Sequence, residues 1–347
     1  MGASPAALAA LSAAVAVETA AAAWYLARVR MPRPPVGVYT GGDVAVLCAG
    51  VVIAPLLYSA LPGAAVSAVF GLVCCLAAQF TLAPLLAAAG LRATPWSWTA
   101  ALTATAATAL AALTGHPGAA RAGSDALIAV AVVGVANLWT QSGLRSAHTA
   151  ALAAVLTGYD LAATTLTDTT TRFFEQVQDR PFAPMLALTG GPHPVAVGLG
   201  DLLLLVLYPL VAAKAHGRTA AACAALAGLL TTTAVSTCFA LGLLTSGFPL
   251  LTALGPLIVA QHLYWRRRSG GERTTARWRE GLPGPRPRPS RSELAAALDT
   301  AVPEGTPPGS WLALADGRVL GTGPTPGRAR REARVRGEDA PTTARMV

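Results

Sequence analysis

Apolar stretches of about 17–25 residues alternate with short polar segments along the first 265 residues of the chain. They fall at residues 5–27, 44–61, 64–90, 96–114, 125–141, 146–166, 194–213, 219–244 and 248–265. A helix needs about 20 apolar residues to cross the hydrocarbon core of a bilayer. The pattern therefore predicts an all-α polytopic membrane protein with about nine transmembrane helices, and eight or ten helices are the alternatives.

Composition supports the same division of the chain. Hydrophobic residues make up 53% of it and charged residues only 12%, against about 25% charged residues in soluble domains. Residues 1–265 contain 10 Lys and Arg and 8 Asp and Glu, whereas residues 266–347 contain 16 and 9. The tail thus supplies most of the net charge of +9. We expect a transmembrane domain over 1–265 and an aqueous tail over 266–347.

Basic residues are concentrated in alternate loops between the predicted helices. These loops contain Arg28, Arg30, Arg33, Arg92, Arg145, Lys214, Arg218 and the run Arg266–Arg268. The intervening loops are poor in positive charge, and residues 167–193 are net negative. Because cytoplasmic loops are enriched in Lys and Arg, the pattern predicts a multi-pass protein of the cell membrane. Its N-terminus would lie outside and its C-terminal tail in the cytoplasm.

Five cysteines are present, and all of them lie in apolar stretches: Cys48, Cys74, Cys75, Cys223 and Cys238. They form no CxxC pair and have no clustered histidine, so they are expected to be small buried hydrophobic residues. No metal site and no cofactor is predicted.

Two aspartates interrupt consecutive apolar stretches. Asp160 lies about six residues, or roughly 9 Å, from the end of the sixth predicted helix at Leu166. Asp201 lies about seven residues, or roughly 10 Å, from the start of the seventh at Pro194. Antiparallel neighbours would bring both carboxyl groups to one depth. Two close carboxyl groups in a low dielectric share a proton and can activate a water molecule, as in aspartic proteases.

The residues beside each aspartate fit such a site. Gly198 and Gly200 flank Leu199 just before Asp201, although each glycine costs a helix about 1 kcal/mol relative to alanine. We expect them to leave room for a substrate backbone or a neighbouring helix. Tyr159 precedes the first aspartate and could stack on the site or hydrogen-bond to it.

Together these motifs resemble the presenilin and signal peptide peptidase family of intramembrane aspartyl proteases. That family has YD, GxGD and PAL motifs on helices six, seven and nine of nine. The matching residues here are Tyr159-Asp160, Gly198-Leu199-Gly200-Asp201 and Pro249-Leu250-Leu251. Leu250 stands where the family has alanine, which puts the substrate-clamping role of this segment in doubt. The resemblance covers residues 146–265.

The resemblance implies a presenilin-like fold, with Asp160 and Asp201 as the catalytic pair and without metal or cofactor. It also implies single-span membrane proteins or remnants of signal peptides as substrates. The predicted orientation is that of the signal peptide peptidase branch. Two alternatives use the same residues: a proton-coupled transporter in which the aspartates carry protons, and polar packing between helices. Glu18, in the first apolar stretch, is a further intramembrane acid without an assigned role.

Other polar positions between and within the helices have simpler interpretations. The segment 167–193, with Phe173 and Phe174, is either a plain outer loop or a region that admits substrate. Asn137, Gln141 and Gln261 are expected to hydrogen-bond between helices.

The tail begins with a basic segment rich in Pro and Gly, which predicts a largely disordered linker lying against anionic lipid. A capped helix is predicted over 290–301. A β-hairpin is predicted over 310–323, with its turn at Asp316-Gly317. A lone hairpin is marginally stable, so a partner or the preceding helix is expected to cover it. No nucleic-acid-binding module is recognisable.

Overall fold

The structure is a computed structural model, and it divides the chain into two compact units. The helical unit comprises residues 1–266 and 272–284, and the tail unit comprises residues 267–271 and 285–347. The residues described are 5–32, 41–166, 173, 175–177, 180–187, 196–241, 243–244, 250–281, 306–315, 318–335 and 342–345. Each unit is described separately below.

Among the described residues, nine helices have 18 residues or more. They are α1 (Pro5–Arg28), α2 (Gly41–Ser59), α3 (Gly63–Ala88), α4 (Ala93–Leu113), α5 (Pro117–Gln141), α6 (Ser146–Thr165), α7 (Leu199–His216), α8 (Arg218–Ala240) and α9 (Leu251–Arg268). Five of those described, α1, α3, α5, α7 and α8, are long and apolar enough to cross a membrane. The chain is therefore a mainly helical membrane protein, with fewer candidate spans than the nine predicted.

Two helices begin five or more residues away from their predicted starts. Helix α5 starts at Pro117 instead of residue 125, with the proline at its first position, where a missing N–H costs nothing. Helix α7 starts at Leu199, five residues later than the predicted start at 194. The residues immediately before it, Val197–Gly198, form a short strand β2, which pairs antiparallel with β1 (Met185–Leu186). Extended backbone at Gly198 thus replaces the predicted first turn.

Helix α7 is the most deeply packed helix of the unit and contacts α1, α5, α6 and α8. Helix α1 is tied to α5 by amide side chains, as predicted. Asn137 Nδ2 donates to the carbonyl of Ala22 at 3.1 Å, and Gln141 Nε2 donates to that of Val29 at 3.0 Å. Such hydrogen bonds fix helix neighbours where no water can satisfy a polar group.

One end of the helical unit, here named the aspartate end, contains the start of α7 and the segment 180–187. This segment packs on α3 and α5. The Ser67 hydroxyl donates to the carbonyl of Pro181 at 2.5 Å, and the Phe182 N–H donates to Ser124 Oγ at 3.0 Å. Phe173 stacks on Tyr58 near the end of α2, with ring centroids 6.3 Å apart. The described part of the predicted loop 167–193 is therefore packed against the helices. Phe174 lies outside the described residues.

The opposite end, the tail end, contains the α5–α6 and α7–α8 turns together with residues 272–281. This last segment, here named the clasp, includes the short helix α10 (Thr275–Arg279). Arg273 Nε donates to the carbonyl of Lys214 at 2.7 Å, and Arg279 donates to that of Gln141 at 2.8 Å. The sequence predicted a disordered linker here. That prediction is wrong for residues 272–281, because their charged side chains satisfy backbone groups at helix ends.

Lys214 corrects a second expectation at the tail end. It was assigned to a basic loop, but it lies in the last turn of α7 and is only 2% exposed. Its ammonium group donates to the carbonyls of Thr140 at 2.9 Å and Leu144 at 2.5 Å. A buried charge needs such partners, and these carbonyls belong to the end of α5 and the turn that follows it.

In the tail unit, the hairpin predicted over 310–323 is present as strands β3 (Trp311–Ala315) and β4 (Arg318–Gly323). The structure adds a third strand, β5 (Thr342–Arg345), beside β3, and helix α11 (Pro326–Val335), which packs on the sheet. The tail thus contains more regular structure than the sequence predicted. The turn residues Asp316 and Gly317 and the predicted helix 290–301 lie outside the described residues.

Candidate functional site

The two predicted catalytic aspartates lie on helices that pack against each other. Asp160 is five residues before the end of α6, and Asp201 is in the first turn of α7. The side chains of both residues are partly buried. Both aspartates thus lie near helix ends, with Asp201 closer to its helix end than the sequence predicted.

Gly198 lies directly beside the carboxyl group of Asp201. A Cβ atom at Gly198 would stand 3.2 Å from Asp201 Oδ2, whereas a Cβ atom at Gly200 would meet nothing within 4 Å. Asp201 Oδ1 is buried and has no hydrogen-bond partner among the described residues. Leu199, between the two glycines, is half-buried and packs against the core. A side chain at position 198 would therefore crowd the carboxyl group of Asp201, whereas position 200 faces open space.

The start of α7 is held in place by the segment that precedes it. The Leu199 N–H donates to the carbonyl of Pro184 at 2.9 Å, next to the β1–β2 pair. That segment is fixed in turn by Asp125, whose Oδ1 accepts the Ala187 N–H at 3.1 Å. Asp125 was not singled out from the sequence. The available signal was an acid, next to Ser124, at the first position of the apolar stretch predicted over 125–141.

Helix α9 meets α6 one turn before Asp160. The Thr157 hydroxyl donates to the carbonyl of Leu251 at 3.0 Å. A Cβ atom at Gly255 would stand only 1.8 Å from Thr157 Oγ1, so the two helices cross at close range. Leu250 and Leu251 are both buried. Leu251 thus contacts α6 three residues before Asp160, and Leu250 is buried next to it. Pro249, the first residue of the predicted third motif, lies outside the described residues.

Two further predicted residues have less defined surroundings. Tyr159 is half-buried and directly precedes Asp160 in α6. Glu18 is 6% exposed within α1, and its Oε1 has no hydrogen-bond partner among the described residues.

A second polar cluster, at the tail end, combines Ser146, His262 and Glu272. Ser146 Oγ lies 2.8 Å from His262 Nδ1, and Glu272 Oε1 lies 3.9 Å from the same nitrogen. A catalytic triad needs the hydroxyl and the carboxylate on opposite ring nitrogens. Ser146 is also fully buried. This cluster therefore joins α6, α9 and the clasp and does not form a nucleophilic site.

No group of three or more His, Cys, Asp or Glu side chains within the described residues is arranged to hold a metal ion. No protein-family model matches the chain, and no curated protein matches it significantly.

Proposed function

We propose that this chain is an intramembrane aspartyl protease that hydrolyses peptide bonds within transmembrane segments, with Asp160 and Asp201 as the catalytic pair. The observation that carries the proposal is the placement of the two carboxyl groups on packed helices, with a glycine beside that of Asp201. A buried carboxyl oxygen without a partner is costly. Its retention in Asp201 supports a chemical role.

In this mechanism one aspartate is ionised and the other is protonated. The ionised carboxylate takes a proton from a water molecule, and the water oxygen attacks the carbonyl carbon of the scissile peptide bond. The protonated carboxyl group donates its proton toward the carbonyl oxygen. Collapse of the tetrahedral intermediate breaks the C–N bond, with a proton delivered to the leaving amine.

The surroundings of the pair favour an extended peptide as substrate. The missing side chain at Gly198 would leave room for a substrate backbone beside Asp201, and Gly200 faces open space next along the chain. Leu250 and Leu251 are buried at the start of α9. They place apolar side chains near the part of α6 that contains Asp160. Substrates would be single-span membrane proteins or signal-peptide remnants, whose helices must unwind locally to expose a peptide bond. No metal or cofactor takes part in this proposal.

A matched set of variants tests the proposed chemistry. The full chain, reconstituted in liposomes with a helical single-span substrate, should cleave that substrate within its span. Asp160→Asn and Asp201→Asn keep the side-chain shape but remove the carboxyl group, so each should lower the cleavage rate about 10²–10⁴-fold. Glu175→Gln, an exposed acid on the described part of the 167–193 segment, is the control and should leave the rate unchanged.

The same preparation distinguishes the proposal from proton-coupled transport. If both aspartate variants cleaved the substrate at the rate of the wild type, the protease proposal would be overturned. Loss of proton-coupled solute uptake in those variants, without any cleavage by the wild type, would favour the carrier.

The proposal includes nine membrane spans in the cell membrane, with the N-terminus outside and the tail in the cytoplasm. It is supported by the grouping of Arg30, Lys214 and the basic clasp at the tail end. A reporter fused after Arg268 should indicate the cytoplasm, and one inserted in 167–193 should indicate the outside. The reverse result would overturn this orientation.

A further inference from the structure

A groove of about 800 Å³ lies between α1, α7 and α8, away from the two aspartates. It extends from Val15 to Ala27 on α1 and from Arg218 to Leu229 on α8, and α7 contributes Pro209, Leu210 and Ala213 as its floor. Most of its lining is alanine and leucine. Its size is that of a ligand site, about 300–1,000 Å³.

The two walls of the groove meet at one end. Ser12 Oγ lies 2.9 Å from Thr233 Oγ1, and this contact joins α1 to α8 just beyond Val15 and Leu229. From there the groove continues along both helices to the tail end of the unit. Twelve residues of α1 cover roughly 18 Å, and half of a 30 Å hydrocarbon core is about 15 Å. The groove thus has the depth of one leaflet of a bilayer.

Charge is found only at the tail end of the groove. Arg218 and Arg273 are the two charged residues among the described residues that line it, and Trp278 lies beside them. Arg30 adds a third guanidinium, 5.0 Å from the centroid of the Trp278 ring. Arginine and tryptophan together mark the interface between hydrocarbon and headgroups. The groove is therefore apolar along one leaflet and positively charged where the headgroups begin.

We propose that this groove binds one phospholipid with an anionic headgroup, taken from the leaflet at the tail end. The acyl chains would lie along the alanine faces of α1 and α8. The phosphate of the headgroup would accept hydrogen bonds from Arg218, which is exposed. The site is independent of the proposed catalytic pair, and its occupation is measurable without any cleavage assay.

Native mass spectrometry of the full chain tests the proposal. The protein is incubated in detergent with equal amounts of phosphatidylglycerol and phosphatidylcholine of identical acyl chains, and the retained lipid is counted. The wild type should retain more phosphatidylglycerol than phosphatidylcholine. Arg218→Gln should lower that retention about five-fold, since one basic residue near the membrane surface contributes about 1 kcal/mol. Arg218→Lys keeps the charge and should restore most of the retention.

A pair of substitutions on α8 tests where the lipid binds. Ala222 is exposed and lines the groove, whereas Ala234 is exposed on the same helix outside it. Ala222→Phe should abolish retention of phosphatidylglycerol, and Ala234→Phe should leave it unchanged, with equal unfolding temperatures as the check on folding. Equal retention of both lipids by the wild type, or full retention in Ala222→Phe, would overturn the proposal.

Discussion

Lys214 and Asp201 lie near opposite ends of α7, and their buried polar groups have different surroundings. At the tail end, the ammonium of Lys214 has two carbonyl partners, and Glu272 accepts the N–H groups of Ser146 and Ala147, each at 3.0 Å. At the aspartate end, Asp201 Oδ1 is buried without a partner among the described residues. Lys214 and Glu272 thus complete helix termini, whereas the buried Oδ1 atom of Asp201 satisfies no group among the described residues.

This difference separates charges that stabilise the fold from charges that cost stability. Glu272 lies at the N-terminus of α6, where the helix dipole favours an anion, and Arg273 lies at the C-terminus of α7, where it favours a cation. Removing either should weaken the fold. Removing the carboxyl group of Asp201 should not, because its buried Oδ1 has no partner among the described residues.

The largest expected effect compares Lys214 with Asp201. Lys214→Met keeps the aliphatic stem but leaves the carbonyls of Thr140 and Leu144 without their donor. The free energy of unfolding should fall by about 3 kcal/mol. Asp201→Asn should change it by less than about 1 kcal/mol. Thermal unfolding in detergent measures both, and comparable losses would erase the distinction between the two ends.

The next effect concerns the crossing of α6 and α9 near Asp160. Gly255→Ala would place a Cβ atom 1.8 Å from Thr157 Oγ1, so the helices must separate. We expect a loss of about 1–3 kcal/mol in the free energy of unfolding. Gly158→Ala, on the same part of α6, has nothing within 4 Å of the added atom and is the control. A stable Gly255→Ala variant would contradict the close crossing.

A smaller effect is expected at the clasp. Glu272→Gln keeps the shape and one acceptor oxygen but removes the charge at the start of α6. The free energy of unfolding should fall by about 1 kcal/mol, mostly through the lost interaction with the helix dipole. Glu280→Gln alters an exposed acid of the same segment and should have no effect. Equal unfolding curves for the two variants would mean that the charge of Glu272 does not stabilise the fold.

The smallest effect distinguishes the two glycines before Asp201. Gly200→Ala adds an atom in open space and should stabilise the protein by about 0.4–1 kcal/mol, because alanine restricts the unfolded chain. Gly198→Ala should lose that gain, since its Cβ would press on Asp201 Oδ2 at 3.2 Å. Calorimetry on the two variants measures the difference. A larger gain for Gly198→Ala would contradict the tight contact.

Much of the helical pattern could be predicted from the sequence. Apolar length alone locates α1, α3, α4 and α6 within a few residues of their ends. The start of α7 could not be located in this way, because Val197 and Gly198 are as apolar as helix residues. Their extended conformation depends on pairing with Met185 and Leu186. The amino-acid composition around these residues does not indicate that pairing.

The aspartate pair and its glycines were recognisable because a charge within an apolar stretch is conspicuous. Asp125 was missed because it lies at the edge of its stretch, where an acid is ordinary. The structure of the clasp was not predicted, because a segment rich in Arg, Gly and Thr is typical of a solvated linker. Its structure comes from carbonyl and N–H groups of helix ends about 60 to 140 residues away, which no local window contains.

The position of the clasp in the chain also affects the order in which the protein can assemble. Three of its hydrogen bonds are made with residues beside the α5–α6 turn, which lie 125, 126 and 138 positions earlier in the sequence. During synthesis, α5, α6 and α7 leave the ribosome well before residues 272–281 do, because the chain grows by about 5–20 residues per second. These helix ends therefore wait several seconds for their charged partners, and the helical core reaches its final packing only after the clasp has been made.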